Sequence, residues 1–140
     1  MFVGMTRRDI GDRYYRAMVE VKPSKPYYTT AMTIKYLLYT YRSRSTEPKQ
    51  QAEYNEKYNA IVDMLEEYVK IERHARLLSR QSKWVVVEFN IPQDICDKLG
   101  KIERKELDEA QRRIDDRMRN EELREQERKA KINENIDKLL

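Results

Sequence analysis

Glu53-Tyr54-Asn55-Glu56-Lys57-Tyr58-Asn59-Ala60-Ile61-Val62-Asp63-Met64-Leu65-Glu66-Glu67-Tyr68 is the stretch that decides the fold class. Tyr54, Tyr58, Ile61, Leu65 and Tyr68 step by 4, 3, 4 and 3, the period of one helix face, and Val62 and Val69 widen the stripe. Upstream, Thr46-Glu47-Pro48 supplies a start, since threonine can cap a helix and proline is tolerated in its first turn. The pattern continues less regularly through His74, Leu77 and Leu78. The spacing therefore predicts one helix from about residue 47 to about 82, roughly 50 Å long at 1.5 Å per residue, with room for a break between Arg73 and Arg76.

Working outward toward the N-terminus, Ile10, Tyr14, Ala17, Met18 and Val21 form an apolar stripe on a helix that Thr6 can cap and that runs to about Val21. Lys22-Pro23-Ser24-Lys25-Pro26 must end it, because two prolines remove donors and fix two φ angles. A second helix is expected over about Tyr28 to Arg42, with Ala31, Ile34, Leu37, Leu38 and Tyr41 as its stripe. Its threonines lower intrinsic helicity, so it leans on tertiary packing.

Toward the C-terminus, Trp84-Val85-Val86-Val87-Glu88-Phe89 is β-branched and aromatic. It reads equally as a strand or as an apolar helical turn in a bundle, and a lone strand would need another chain to pair with. Asn90-Ile91-Pro92 leads into a short helix expected to end at Gly100. From Lys101 to Leu140 there is no Gly or Pro. Ile102, Leu107, Ala110, Ile114 and Met118 keep a stripe there, only Leu123 and Ala130 are apolar between Arg119 and Lys131, and Ile132, Ile136, Leu139 and Leu140 resume it. This is either a solvated projecting helix or a partner-contacting one, and its heptad is too broken for a self-sufficient zipper.

The expected fold class is thus all-α. A basic N-terminal helical arm with a proline corner (1–46) precedes a helical bundle body with a long charged C-terminal helix (47–140).

Charge is unevenly spread. All ten tyrosines lie before residue 69, seven of them between Tyr14 and Tyr41. From Met1 to Arg44, Arg7, Arg8, Arg13, Arg16, Lys22, Lys25, Lys35, Arg42 and Arg44 face only Asp9, Asp12 and Glu20, a balance of +6. The remaining 20 basic and 22 acidic residues leave −2, which gives the net +4. Cations spaced to meet phosphates beside rings that can stack or donate hydroxyls are what a nucleic-acid binder needs. The candidate contacts are those nine cations with Tyr14, Tyr15, Tyr27 and Tyr28, and the expected partner is nucleic acid, duplex DNA in particular. Tyrosines at helical spacing also build cores, and arginines on polar helix faces are usually only solvated. The regional imbalance, not any single residue, favours the binding interpretation.

Catalytic and metal chemistry find little to work with. The lone His74 sits in Glu72-Arg73-His74-Ala75-Arg76, a charged turn, and lies 22 residues from the lone Cys96. Asp115-Asp116 and Glu121-Glu122 are flanked by basic residues and read as solvated charges. Three glycines make no phosphate cradle. One cysteine cannot form an intrachain disulfide, and Cys96 reads as a small buried apolar residue. The expectation is no enzyme, no cofactor, no metal, no transmembrane segment, and a cytoplasmic location. Recognition-helix, zinc-finger and RNA-binding-sheet signatures are missing, so backbone contact is expected without base readout.

This organisation, a basic arm from Thr6 to Arg44 with Pro23 and Pro26 and a helical body from Glu47 to Leu140, resembles the major capsid proteins of filamentous archaeal viruses. The likeness is architectural; it rests on no diagnostic residue string. It implies an arm that wraps genomic DNA, pairing with copies of itself and with a second related coat protein, and assembly into a helical filament in a virion built in the host cytoplasm. The alternative is a small helical regulator or adaptor that docks a protein partner through its tyrosine stripes and Trp84–Phe89, with the long C-terminal helix as a clamp.

Overall fold

A computed structural model describes residues 6–75 and 82–140 of the chain. Three helices come first: α1 (Arg7–Val19), α2 (Tyr28–Arg42) and α3 (Pro48–Tyr68). An antiparallel hairpin of β1 (Val69–Ala75) and β2 (Ser82–Phe89) follows, and then α4 (Gln93–Asp137). Two compact units result, Met1–Glu103 and Arg104–Leu140.

Thr6 caps α1 as expected. Its hydroxyl accepts from the Asp9 N–H at 3.2 Å, and the Thr6 N–H donates to the Asp9 carboxylate at 3.1 Å, a reciprocal capping box. Those bonds from Thr6, backbone N–H first, hold the Asp9 carboxyl below the usual range. The start of α3 differs in detail. Glu47, not Thr46, is the cap residue and makes no side-chain bond. The turn is fixed instead by Ser45, whose N–H donates to Gln51 Oε1 and whose hydroxyl donates to Gln50 Oε1, both at 2.7 Å.

The core of the first unit is one cluster fed by every element. Met18 of α1, Ile34, Leu37 and Leu38 of α2, and Val62 and Leu65 of α3 are its largest fully buried side chains, with Leu99 of α4 closing one side. Residues 6–46 are therefore packed into this unit, since the stripes of α1 and α2 are buried on α3 and the hairpin. Gly11 lets α1 approach α3. A Cβ there would lie 2.9 Å from Cε1 of the buried Tyr58 ring and closer still to its phenol end.

The hairpin corrects the strictly all-α expectation. The helix expected to reach residue 82 stops at Tyr68, where Val69 turns extended at φ −120° and ψ 125°. Val69 and Ile71 are β-branched and alternate with Lys70 and Glu72, a period of two that suits a half-buried strand. The strand 82–89 finds its partner in this same segment, with Ile71 opposite Val86 and Arg73 opposite Trp84, and needs no second chain. A bulge between Lys70 and Ile71 skips Val87, and the Asn90 N–H closes the base on the Tyr68 carbonyl at 2.9 Å. His74 consequently lies exposed on β1, 3.6 Å from Glu72, and not in a helical turn. Leu77 and Leu78 fall outside the described residues.

Gly100 does not end a helix either. It lies inside α4, exposed, where an added Cβ would meet nothing within 4 Å. An interior glycine costs a helix about 1 kcal/mol, too little to break one built from strong formers on both sides. Cys96 is half-buried in α4, its thiol 3.7 Å from the Ile91 carbonyl. Among the described residues no helix is long and apolar enough to cross a membrane.

Candidate nucleic-acid interface

The nine N-terminal cations divide into groups with different surroundings. Arg7, Arg8 and Arg42 are tied to the fold. Arg7 pairs with Asp63 of α3, and Arg42 Nη1 lies 3.4 Å from Asp12 Oδ1. That oxygen is buried and has no well-aligned hydrogen bond, so the contact is chiefly coulombic. The Arg8 guanidinium donates to the Arg42 carbonyl at 3.4 Å, and Tyr58 donates its hydroxyl to the Arg8 carbonyl at 3.3 Å. Burial raises the Tyr58 phenol above its ordinary pKa, and the Asp12 carboxylate pushes the same way. Exposed pairs such as Arg7–Asp63 contribute about 0–1 kcal/mol each.

Arg13, Arg16, Lys22 and Lys25 behave otherwise. The face of α1 that carries Arg13 and Arg16, and the proline corner that carries Lys22 and Lys25, look onto the hairpin across two adjoining hollows. The larger is a groove of about 450 Å³ bordered by Tyr15, Arg16, Glu20, Arg73, Lys83 and Trp84. The second, about 270 Å³, shares Glu20, Lys83 and Trp84 and adds Lys22, Lys25 and Tyr27. Arg13 lies over the Trp84 ring at 4.8 Å from its centroid, a cation–π contact of about 0.5–1 kcal/mol at a part-exposed site. Arg73, directly across the ladder from Trp84, bonds through its Nε to the Ser82 hydroxyl. Lys83 pairs with Glu20.

The electrostatic outcome is lopsided. Among the described residues Arg16, Lys22, Lys25, Arg73 and Lys83 border the two hollows with one carboxylate, Glu20, for a formal +4, and Arg13 over Trp84 brings the surface to +5. The whole chain carries +4, so the remaining residues of the sequence sum to −1. The C-terminal end of α1 also points here with about half a negative charge, which the six cations outweigh.

Arg13 lies over Trp84 but lines neither hollow, and three further candidates are not in their linings either: Lys35 and Tyr28 are half-buried on α2, and Arg44 is exposed beyond its end. Tyr14 is corrected outright. It is 7% exposed and donates its hydroxyl to the Val69 carbonyl at 3.1 Å, so it is a core residue that ties α1 to the start of the hairpin. Burial raises its phenol pKa, and the Glu66 carboxylate adds to that. Tyr27 is stacked on Phe89 with ring centroids 4.4 Å apart, which leaves one face for a ligand. Tyr15 is half-buried at the groove edge.

Arg73, Lys83 and Trp84 were missing from the candidates. Counting charge by position along the chain stops short of them, whereas pairing the alternating segment from Val69 with Trp84–Phe89 would have placed them beside α1. Among the described residues no group of three His, Cys, Asp or Glu side chains is arranged to hold a metal ion. Comparison of the chain with models of known families, with curated proteins and with solved structures finds no match.

Proposed function

We propose that this protein is a structural binder of duplex DNA, gripping the phosphate backbone in the α1–hairpin groove without reading base sequence. The supporting observation is the gathering of five cations and three aromatic side chains with a single carboxylate about the two hollows, with Arg13 a sixth cation over Trp84. Lysine and arginine placed this way neutralise phosphates and release counterions, and this term does not depend on sequence. Trp84, Tyr15 and Tyr27 supply flat apolar surface against which sugars or exposed bases can lie. No reaction is assigned to the groove; it acts by occupancy.

Coating a genome as a helical filament, the form implied by the likeness to filamentous-virus capsid proteins, extends this proposal to many copies on one duplex. The grip is not that of a separate arm: α1 and α2 are core elements, and the groove cations are carried on the folded surface that α1 and the following turn share with the hairpin. The test is titration with duplexes of unrelated sequence at several salt concentrations, followed by electron microscopy of the complexes. Equal affinities with a steep salt dependence are expected. Sequence preference above tenfold, or no binding at low salt, overturns the proposal. Continuous filaments identify a coat, and discrete particles a regulator that binds DNA. Discrete complexes with a protein and none with DNA would establish the adaptor alternative.

A further inference from the structure

The second unit, Arg104–Leu140, is helical to Asp137 and exposes most of its large apolar residues along one side, Leu123 facing the other way. Leu107, Ile114, Met118, Ile132 and Ile136 are each about half exposed, between 47% and 59%. At 100° per residue, these five with Ala110 and Leu139 fall within an arc of about 80°. Glu121, Glu125 and Arg128 fill the same arc between the two apolar runs. From Leu107 to Leu139 the positions in the arc step by 3, 4, 4, 3, 4, 3, 4, 4 and 3. That series reads the same from either end, with its midpoint at Leu123.

We infer that this helix pairs with the same helix of a second copy, antiparallel, about a two-fold axis at Leu123. In that register Leu107 meets the partner's Leu139, Ala110 the partner's Ile136, and Ile114 the partner's Ile132. Leucine faces leucine, isoleucine faces isoleucine, and the small alanine faces a large residue, so each layer fills comparably. Met118 meets the partner's Arg128, whose methylene stem can cover it while the guanidinium reaches the partner-facing Glu121 one layer on. The same register sets Glu121 against the partner's Glu125 in two symmetry-related layers, whereas a parallel pairing would oppose like charges in three, at Glu121, Glu125 and Arg128. The extra layer of like charges disfavours the parallel arrangement.

Charge also selects the occupant. The segment 104–140 carries eleven basic and eleven acidic residues, with no net preference for a polyanion, a lipid surface or a basic partner. A surface with balanced charge and a palindromic apolar pattern is complementary to itself, as a two-fold interface requires. The nine steps cover 32 residues, about 3.6 per turn, so the two helices can lie together with little supercoiling.

The test uses the full chain without DNA, in a Cys96→Ser background that removes the only native thiol. Ile114→Cys and Ile132→Cys are made separately, then oxidised alone and as a mixture. The expected result is a disulfide dimer joining the two variants in the mixture and little from either variant alone. Self-linking of each variant alone indicates a parallel pair and overturns the register. Sedimentation equilibrium reads the oligomeric state without relying on the cysteines. A dimer is expected, and Ile114→Asp raises its dissociation constant by roughly a hundredfold or more, because each dimer would then bury two carboxylates in apolar layers. A monomer at tens of micromolar, or an Ile114→Asp dimer of unchanged affinity, also overturns the inference.

Discussion

Replacing Arg16, Lys22 and Lys25 together by glutamine removes three exposed groove cations while leaving the buried stripes untouched. If all six groove cations meet phosphates of a duplex, the slope of log K against log salt is about −5, at roughly 0.9 per phosphate. Between 50 and 200 mM salt the affinity of the wild-type protein then falls by about three orders of magnitude. The triple variant keeps three contacts, a slope near −3 and a loss of only about 40-fold over the same range. Trp84 is the sole tryptophan and lies in the groove under Arg13, so its fluorescence reports occupancy directly, without a label.

The controls lie on α1 and α2. Arg7→Gln and Arg42→Gln remove cations that pair with Asp63 and Asp12, away from the groove. They should leave the slope within one unit of wild type and lower stability by about 0–1 kcal/mol each. A triple variant with the wild-type slope refutes the groove assignment. So do Arg7 and Arg42 variants that lose as much as the groove variants, because binding would then follow regional charge and not the folded surface.

Four further outcomes follow from the geometry. Glu20→Gln removes the one carboxylate of the groove and frees Lys83, so duplex affinity at 50 mM salt should rise by about tenfold, measured by the same tryptophan signal. Gly11→Ala drives a methyl group into the Tyr58 ring and should cost about 1–3 kcal/mol in urea unfolding, with an unchanged midpoint counting against the close α1–α3 approach. Tyr14→Phe leaves the Val69 carbonyl without its donor and should cost about 1–2 kcal/mol without changing the salt slope. Tyr14 and Tyr58 both have raised phenol pKa values, so the folded state holds those protons more tightly than the unfolded chain. Their contribution is complete below about pH 10 and is lost as pH climbs from there through the folded values, so each Tyr→Phe change should flatten the alkaline decline in stability.

Helical stripes were legible because period and burial coincide. Met18, Ile34, Leu37, Leu38, Val62 and Leu65 are stripe positions in the sequence and fully buried in the fold. The hairpin was hidden because the α3 stripe flows into β1 without a Gly or Pro between Tyr68 and Ala75. Val69 continues a helical stripe as naturally as it starts a strand, and only its long-range pairing with Phe89 decides between them. Gly100 misled for the opposite reason: it is a strong local stop signal, overridden by good helix formers on either side. At the candidate interface, Arg13, Arg16, Lys22 and Lys25 were legible as a basic run. Arg73, Lys83 and Trp84 were not, since their place beside α1 exists only once the hairpin has formed.

The tyrosine-rich basic segment serves as both core and surface because α1 assigns the two chemistries to different angles. Tyr14, Ala17 and Met18 turn inward, while Arg13 and Arg16, each one or two positions away, turn outward toward the hairpin. Moving any of them by one residue would rotate it about 100° and bury a guanidinium or expose a core side chain. A flexible arm would lose conformational entropy each time it met a phosphate, whereas on this surface folding has already ordered the backbone that carries the groove cations. Presentation on a folded surface also makes the site divisible by experiment. With a formal +5 gathered on this surface, the proposed duplex binding should have one main structural source for its salt dependence, and each cation removed from it should lower the slope by about one.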